Sequence, residues 1–334
     1  MKKNIVCFFL RKPVYGKFYS IEKYFYELIN NHYDNRFVFK LKICPVESKG
    51  LFNRIYLIFW AYFNQGDINH ICGDIHFIAL FLKKSRTIIT VHDNYSMKRL
   101  HGIKRIIYYI FWLKLPAFRC CKIIAVSKKT ADELKKYLPN IKSKILHINV
   151  FIQSIFKKKF KKKTNLTSIL IIGTAINKNF YNSISSLSKI KCEVSIIGIL
   201  NSEQIKFLKD LNIKYRNFFN LSDHQIYKKY CYSDILLFAS TYEGFCMPIL
   251  EAQAVGRPVV TSNIRPLTDV GGEGALYVNP NSINSITKGV QTLIKSNSLR
   301  KKLILNGFKN IKRFDPKEII AHHYKCYNQL LNKK

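Results

Sequence analysis

The sequence predicts an α/β protein built from two doubly wound parallel sheets. Three observations carry that prediction. Apolar runs of strand length alternate with helix-period segments along the chain, the pattern of a parallel sheet covered on both faces. A lysine run, KKKFKKK at 157–163, interrupts the alternation, which restarts beyond it. The 334 residues suit two domains at roughly 100–200 residues each.

Taken in order, the strands of the first half are expected at 4–10 (NIVCFFL), 37–43, 68–72, 87–92, 122–127 and 145–150. The first apolar stretch is short, ends at Arg11-Lys12 and has no small-residue cleavage site, so it reads as a strand and not as a signal peptide. Helical segments fall near 20–31, 51–64, 74–83, 104–115 and 128–138. Beyond the lysines, strands are expected at 168–173, 194–198, 213–218, 235–239, 258–261 and 275–278. Helices are expected there near 179–189, 202–211, 222–231, 247–255 and 282–296, and the tail 298–332 reads as two more, broken near Asp315-Pro316. Ser127 reads as the N-cap of the helix after it, and Asp223, which follows Ser222, also reads as capping. The expected divisions are 1–155, 156–315 and a C-terminal helix, 316–334, packing back on the first domain. Ligands of such sheets bind beyond the carboxyl ends of the strands, so the expected site lies in the cleft between the two domains.

Composition narrows the class. At 48% hydrophobic and 14% aromatic residues the chain has material for packed cores, which excludes global disorder. No run reaches the ~18 apolar residues of a spanning helix. Nine scattered cysteines include no CxxC pair and no zinc-finger spacing, so reduced thiols packing as small hydrophobes are expected, and no metal site. His70 and His76, around a strand-loop-helix turn, read as structural.

The balance of 56 Lys and Arg against 20 Asp and Glu gives +36. Such charge attracts polyanions, including anionic membranes. Richness in Lys, Asn, Ile, Phe and Tyr, with 14 Gly where average usage gives about 23, is also what an AT-rich coding sequence produces, with the charges on solvated faces. Nucleic acid is set aside as a partner, because no helix-turn-helix, finger or ribonucleoprotein motif accompanies the charge. The lysine run reads as a solvated linker. In 98–122 an aromatic-aliphatic block from Ile106 to Phe118 is flanked by Arg99, Lys104, Arg105, Arg119 and Lys122. It fits either a buried crossover helix with basic ends or an interfacial helix dipping into lipid.

Residues 235–280 carry the chemistry. A buried strand ends at Ser240, a loop holds Gly244, and a helix starts near Met247-Pro248, where proline suits the first turn. The amides of Gly244, Phe245 and Cys246 fall at that helix N-terminus, where the dipole favours an anion. Glu243 and Glu251, eight positions apart, bracket the loop. This suits a ligand with phosphate in the middle and hydroxyls at both ends.

The segment Glu243-Gly244-Phe245-Cys246-Met247-Pro248 through Glu251 resembles the E-x7-E signature of retaining GT-B glycosyltransferases of family 4, with its EGFG-x-P-x-x-E-A-x-A-x-G core. Gly256 to Ser262 fits the same pattern, and the resemblance, densest over 165–280, spans most of the chain. It implies the GT-B fold: two Rossmann-like domains facing a cleft, the first for the acceptor and the second for a nucleotide sugar. It assigns Glu243 to the donor sugar hydroxyls, Glu251 to the ribose, and the amides of Gly244, Phe245 and Cys246 to the sugar and diphosphate. Lys178, in GTAINKN, matches the family lysine that neutralises the diphosphate, where a cation stabilises the charge that grows as the glycosidic bond breaks. Thr174 stands where the family often has a diphosphate-binding arginine. His92 resembles the first domain's histidine that faces the donor sugar. Gly16 lies where the family has a glycine-rich loop near donor and acceptor, and 217–222 lie at the family position of the base pocket. Two further departures are Cys246 in place of a glycine, expected to narrow the backbone approach, and Asp269 where glutamate is common.

The resemblance implies a metal-independent, retaining transfer of a hexose-type sugar from a nucleotide diphosphate sugar to an acceptor hydroxyl. The nucleotide sugar is a co-substrate, and no other cofactor is expected. Attack comes on the front face, with the departing phosphate helping to deprotonate the acceptor. No DxD motif occurs, so a metal-bridged diphosphate is not supported. Charge and the 98–122 block point to a saccharide or lipid-linked acceptor of surface-polysaccharide or lipopolysaccharide assembly at an anionic membrane surface. The expected location is cytoplasmic, peripheral on the inner face of the cytoplasmic membrane. The rival reading is a catalytically degenerate nucleotide-sugar binder or scaffold, supported by Cys246 and Thr174.

Overall fold

The computed structural model describes residues 3–13, 20–159 and 166–332. The chain forms two compact units, one from Met1–Phe151 with Pro316–Lys334, the other from Ile152–Asp315.

The first unit holds a six-stranded sheet of β1 (Asn4–Leu10), β2 (Phe37–Ile43), β3 (Ile68–Ile71), β4 (Thr87–Val91), β5 (Lys122–Ala125) and β6 (Ile145–His147), in the order β2-β1-β3-β4-β5-β6. Every pair is parallel, with Phe8 opposite both Leu41 and His70. The helices are α1 (Ser20–Asn30), α2 (Leu51–Phe63), α3 (Tyr95–Arg99), α4 (Gly102–Tyr108), α5 (Leu115–Phe118) and α6 (Lys128–Tyr137). Side chains of a strand alternate between faces. Cys7, Phe9, Ile71, Ile89 and Val91 therefore share one core with Leu57 and Ala61 of α2 and Leu113 and Ala117. On the other face Phe8 packs against Phe25 of α1 and Tyr327.

Two of the expected helical segments depart from a plain α-helix. Residues 76–81, inside the expected 74–83 segment, form a 3₁₀ helix. The block 98–122 is not a buried helix: α4 runs through a π-helical stretch, Tyr109–Lys114, into α5, and only its inner residues, such as Leu113, Pro116 and Ala117, are buried. Ile103, Ile106, Ile107 and Phe111 are exposed. Among the described residues no helix is long and apolar enough to cross a membrane.

The second unit is also built on a six-stranded parallel sheet, with a different strand order. Its strands β7 (Thr167–Ile172), β8 (Cys192–Ile197), β9 (Tyr215–Phe218), β10 (Ile235–Phe238), β11 (Val259–Ser262) and β12 (Ala275–Val278) are all parallel, in the order β12-β11-β10-β7-β8-β9. The helices are α7 (Phe180–Ser185), α8 (Ser202–Asp210), α9 (Asp223–Tyr232), α10 (Met247–Val255), α11 (Leu267–Gly271), α12 (Ile283–Lys295) and α13 (Asn297–Asn310). Ser127 Oγ caps α6 by accepting from the amide of Thr130 at 3.1 Å. In α9 the cap is Ser222, which forms a capping box with Gln225, so Asp223 is the first helical residue and not the cap.

The last helix, α14 (Pro316–Leu331), belongs to the first unit. His70 Nδ1 lies 2.8 Å from the Tyr327 hydroxyl, His323 Nε2 lies 3.1 Å from that of Tyr24, and Arg86 donates to the carbonyl of Leu330. The described part of the lysine run lies along the second unit with its side chains exposed. The amide of Lys159 donates to Val255 O, and its carbonyl accepts from Arg257 at 2.8 Å. All nine cysteines are free, six of them buried.

Candidate active site

The site in the second unit grows from the loops at the carboxyl ends of two adjacent strands, β7 and β10. After β7 the chain turns at Gly173, whose φ is +89°. A Cβ there would sit 2.7 Å from Lys178 Cγ, so glycine both permits the turn and leaves room for the lysine stem. The next residues form a 3₁₀ turn, Ile176–Lys178, closed by left-handed Asn179.

Asparagine side chains and one backbone bond stitch this loop to the one after β10. Asn177 Nδ2 donates to Tyr242 O at 3.0 Å, and its carbonyl accepts from the Thr241 amide at 2.8 Å. Asn179 Nδ2 donates to Ala239 O at 3.0 Å and to Pro280 O at 2.7 Å. The result is a contact between residues 65 apart in sequence: Lys178 Nζ lies 2.6 Å from Glu243 Oε1. The ammonium also lies 4.9 Å from the centre of the Phe238 ring. Glu243 is only 9% exposed, so its charge is compensated by the lysine in place of water.

The helix after this loop, α10, begins at Cys246, which has φ +88° and ψ +60°. That conformation costs a residue with a Cβ roughly 1–2 kcal/mol, which explains why a glycine is at home there. The thiol is buried. The Phe245 ring packs edge-on against Phe314 at 5.8 Å, so the side chain anchors the loop while the backbone starts the helix. Gly244 precedes it, half-buried.

Glu251 stands in the second turn of α10. Its Oε2 accepts a 2.5 Å hydrogen bond from the hydroxyl of Tyr230, a fully buried residue of α9. Burial, with Glu251 beside it, pushes the Tyr230 phenol well up, so the hydroxyl keeps its proton and donates. Arg257, also buried, braces the same helix by donating to the carbonyls of Tyr230 and Cys231, each at 3.0 Å. The sequence hid both roles. A tyrosine on an amphipathic helix reads as core, and the arginine of GRPVV carries no sign of which carbonyls it reaches.

Thr174 is a tie between loops. Its hydroxyl donates to Ile199 O at 2.6 Å and its carbonyl accepts from Gln204 Nε2 at 2.8 Å. Asn217 Nδ2 donates to Gly198 O at 2.8 Å and holds the end of β8. Asp269 pairs with Arg265 at 2.8 Å.

His92 belongs to the first unit, just past β4, and Gly16 lies outside the described residues. His92 Nε2 is 2.9 Å from Cys72 O. A carbonyl only accepts, so Nε2 carries the proton. Burial pushes this imidazole down to about 4, leaving a neutral ring with Nδ1 as an acceptor at pH 7. His70 and His76 are buried and fully engaged: His70 bonds Tyr327 and Thr90, and His76 Nδ1 bonds Trp112 O at 2.9 Å.

Residues 152–310 match the family described as Glycosyl transferases group 1. The O-antigen chain mannosyltransferase RfbU of Salmonella typhimurium is 27% identical over 237 residues, 68% of this chain and 65% of that protein. The N,N'-diacetylbacillosaminyl-diphospho-undecaprenol alpha-1,3-N-acetylgalactosaminyltransferase of Campylobacter jejuni is 24% identical over 62% of this chain and 55% of its own length. The chain thus spans less than two thirds of either relative. The crystal structure of Anabaena Alr3699/HepE in complex with UDP and glucose superposes with a TM-score of 0.77 over 98% of this chain and 100% of that one, at 13% identity. The family match falls on the unit that holds Lys178, Glu243 and Glu251, and the chain has the GT-B fold.

Proposed function

We propose that the protein is a retaining, metal-independent transferase of family 4. It moves a hexose-type sugar from a nucleotide diphosphate sugar to a hydroxyl of a saccharide or lipid-linked acceptor. The observation that carries the reading is the 2.6 Å contact of Lys178 with Glu243, which joins two distant motif residues beside the start of α10. In this reading Lys178 neutralises the leaving diphosphate and Glu243 holds the donor sugar hydroxyls. The amides at Gly244, Phe245 and Cys246 meet the diphosphate at the positive end of the α10 dipole. Glu251, oriented by Tyr230, takes the ribose hydroxyls. Because the cation and the helix dipole are in place before the bond breaks, they stabilise the growing phosphate charge without reorganisation. His92 offers Nδ1 as an acceptor to a sugar hydroxyl.

The name of the Salmonella relative supports a polysaccharide product, and that of the Campylobacter relative supports an acceptor on a diphospho-undecaprenol. We infer work in surface-polysaccharide assembly, on the inner face of the cytoplasmic membrane.

Thermal-shift measurements with UDP, GDP, ADP, CMP and their sugar conjugates test the donor site. At 100-fold over its dissociation constant a ligand stabilises by about 2.7 kcal/mol, a shift of several degrees. One nucleotide family raises the melting temperature, and Glu251→Ala abolishes the shift. If no nucleotide at millimolar concentration moves either protein, the reading fails.

A further inference from the structure

Helix α2 is apolar on both sides. Its inner residues, Leu57 and Ala61, enter the core of the first unit. Its outer stripe also carries large apolar and aromatic side chains at 52, 55, 56, 59, 62 and 63, a spacing that keeps them on one side of a helix. Phe52 is 86% exposed and Phe63 79%, with Ile55, Tyr56, Phe59 and Tyr62 each above 40%. A helix that is hydrophobic all round belongs inside a protein or in a membrane, and scattered single apolar residues would not form such a stripe.

A second stripe lies beside it. Ile103, Ile106, Ile107 and Phe111 are exposed along α4 and the π-helical stretch. Leu113 and Ala117 of the same segment enter the core that α2 caps, so both helices cover one face of the sheet and turn their outer stripes away from it. They meet where the Arg54 guanidinium lies 4.7 Å from the Trp112 ring. Phe81, half exposed, extends the patch by touching Phe59 edge-on at 5.5 Å.

The charge around these stripes is mainly positive. Residues 48–66 contain Lys49 and Arg54, with Glu47, which pairs with Lys49 at 2.9 Å, and Asp67 at the borders. Residues 75–131 contain twelve Lys and Arg against one acid, Asp93. Lys104 and Arg105 are exposed within the second stripe itself. At ~1.5 Å per residue, the thirteen residues of α2 make about 20 Å, too short to span a hydrocarbon core of ~30 Å. Aromatic residues with cations beside them are the composition of a helix lying in the headgroup layer.

We propose that α2 and the Gly102–Lys114 segment form one docking surface for an anionic bilayer. The Phe52–Phe63 stripe enters the acyl boundary, and Lys104 and Arg105 pair with headgroups. The inference deepens the membrane part of the proposed function, and it rests on that part alone and not on the donor site.

Co-sedimentation of the full chain with vesicles tests it, using phosphatidylglycerol–phosphatidylethanolamine against pure phosphatidylcholine at low and high salt. The wild type binds the anionic vesicles. Phe52→Ser/Phe63→Ser lowers the affinity about tenfold or more, since two large apolar side chains lose their burial. Lys104→Glu/Arg105→Glu weakens binding at low salt, and high salt removes the difference. Both variants change exposed residues, so unaltered melting temperatures accompany these losses. Phe52→Trp adds a blue-shifted emission, beyond that of Trp60 and Trp112 in the wild type, only with anionic vesicles. Variants that bind like the wild type overturn the proposal, as does a wild type that ignores vesicles at low salt. So does a dimer that Phe52→Ser/Phe63→Ser converts to monomer, because a second copy then covers the stripe. The nucleotide-induced thermal shift, measured on the same variants, separates failure here from failure of the donor site.

Discussion

Cys246 holds a left-handed backbone at the start of α10, where a side chain is a burden. Glycine relieves that strain but loosens the unfolded chain and gives up a buried thiol, so comparison with wild type alone mixes three effects. Comparing Cys246→Gly with Cys246→Ala isolates the backbone. At a right-handed helical position alanine is the more stable by roughly 0.5–1 kcal/mol. At φ +88° the order reverses, and the glycine variant is more stable by about 1 kcal/mol in urea unfolding. An alanine variant at least as stable as the glycine variant contradicts this. The residue scale also shows what a motif can and cannot reveal. Lys178 and Glu243 were legible because the motif names them, and their spatial pairing follows from adjacent strands. Tyr230 was not legible, because its bond to Glu251 depends on how α9 approaches α10, which periodicity does not encode.

Elements were easier to read than their ends. A strand buried on both faces is a continuous apolar run, so β1, at Asn4–Leu10, stands out from residue type alone. At 145–150 the apolar run outlasts the ladder: β6 stops at His147, while Ile148 and Val150 stay buried in the loop that follows. Helices α3 and α11, five residues each, are too short to show a period. Helix α2 was placed correctly but its exposure was hidden, since an all-apolar pattern reads as core. Helix α14 carries a pH dependence. Burial pushes His323 down to about 3, and His70, which bonds Tyr327 of α14, well below its ordinary value. The unfolded chain takes up these protons near pH 6.5 and the folded unit does not, so stability is full above that value and falls as the pH drops towards 4. Thermal melts between pH 7 and pH 4 show this decline, and His323→Leu makes it shallower. Equal slopes in the two proteins contradict the assignment.

At the scale of the whole chain, the two units differ in how much of their chemistry the sequence exposes. Unit two carries the family match and a motif written in particular residues: Gly173 at a turn, and Lys178, Glu243 and Glu251, to which the proposed function gives the phosphate and hydroxyl contacts. That chemistry needs fixed residue types at fixed spacing, so it survives in sequence. The first unit lies outside the match over 152–310 and presents shape, an apolar double stripe and positive charge. Those properties depend on which side of a helix faces outward, which only the fold decides. The +36 net charge likewise gains meaning from where it lies: the stretches around α2 and α4 are nearly free of acids.

The most direct test is transfer itself. The nucleotide sugar that stabilises the protein, isotopically labelled, is incubated with diphospho-undecaprenol-linked and free saccharide acceptors, and the anomeric configuration of the product is read by NMR. The predicted result is a product with the donor's own anomeric configuration, with transfer lost in Glu243→Gln and in Lys178→Met. A donor that binds without transfer to any acceptor, or a product of inverted configuration, contradicts a retaining transferase built on Lys178 and Glu243.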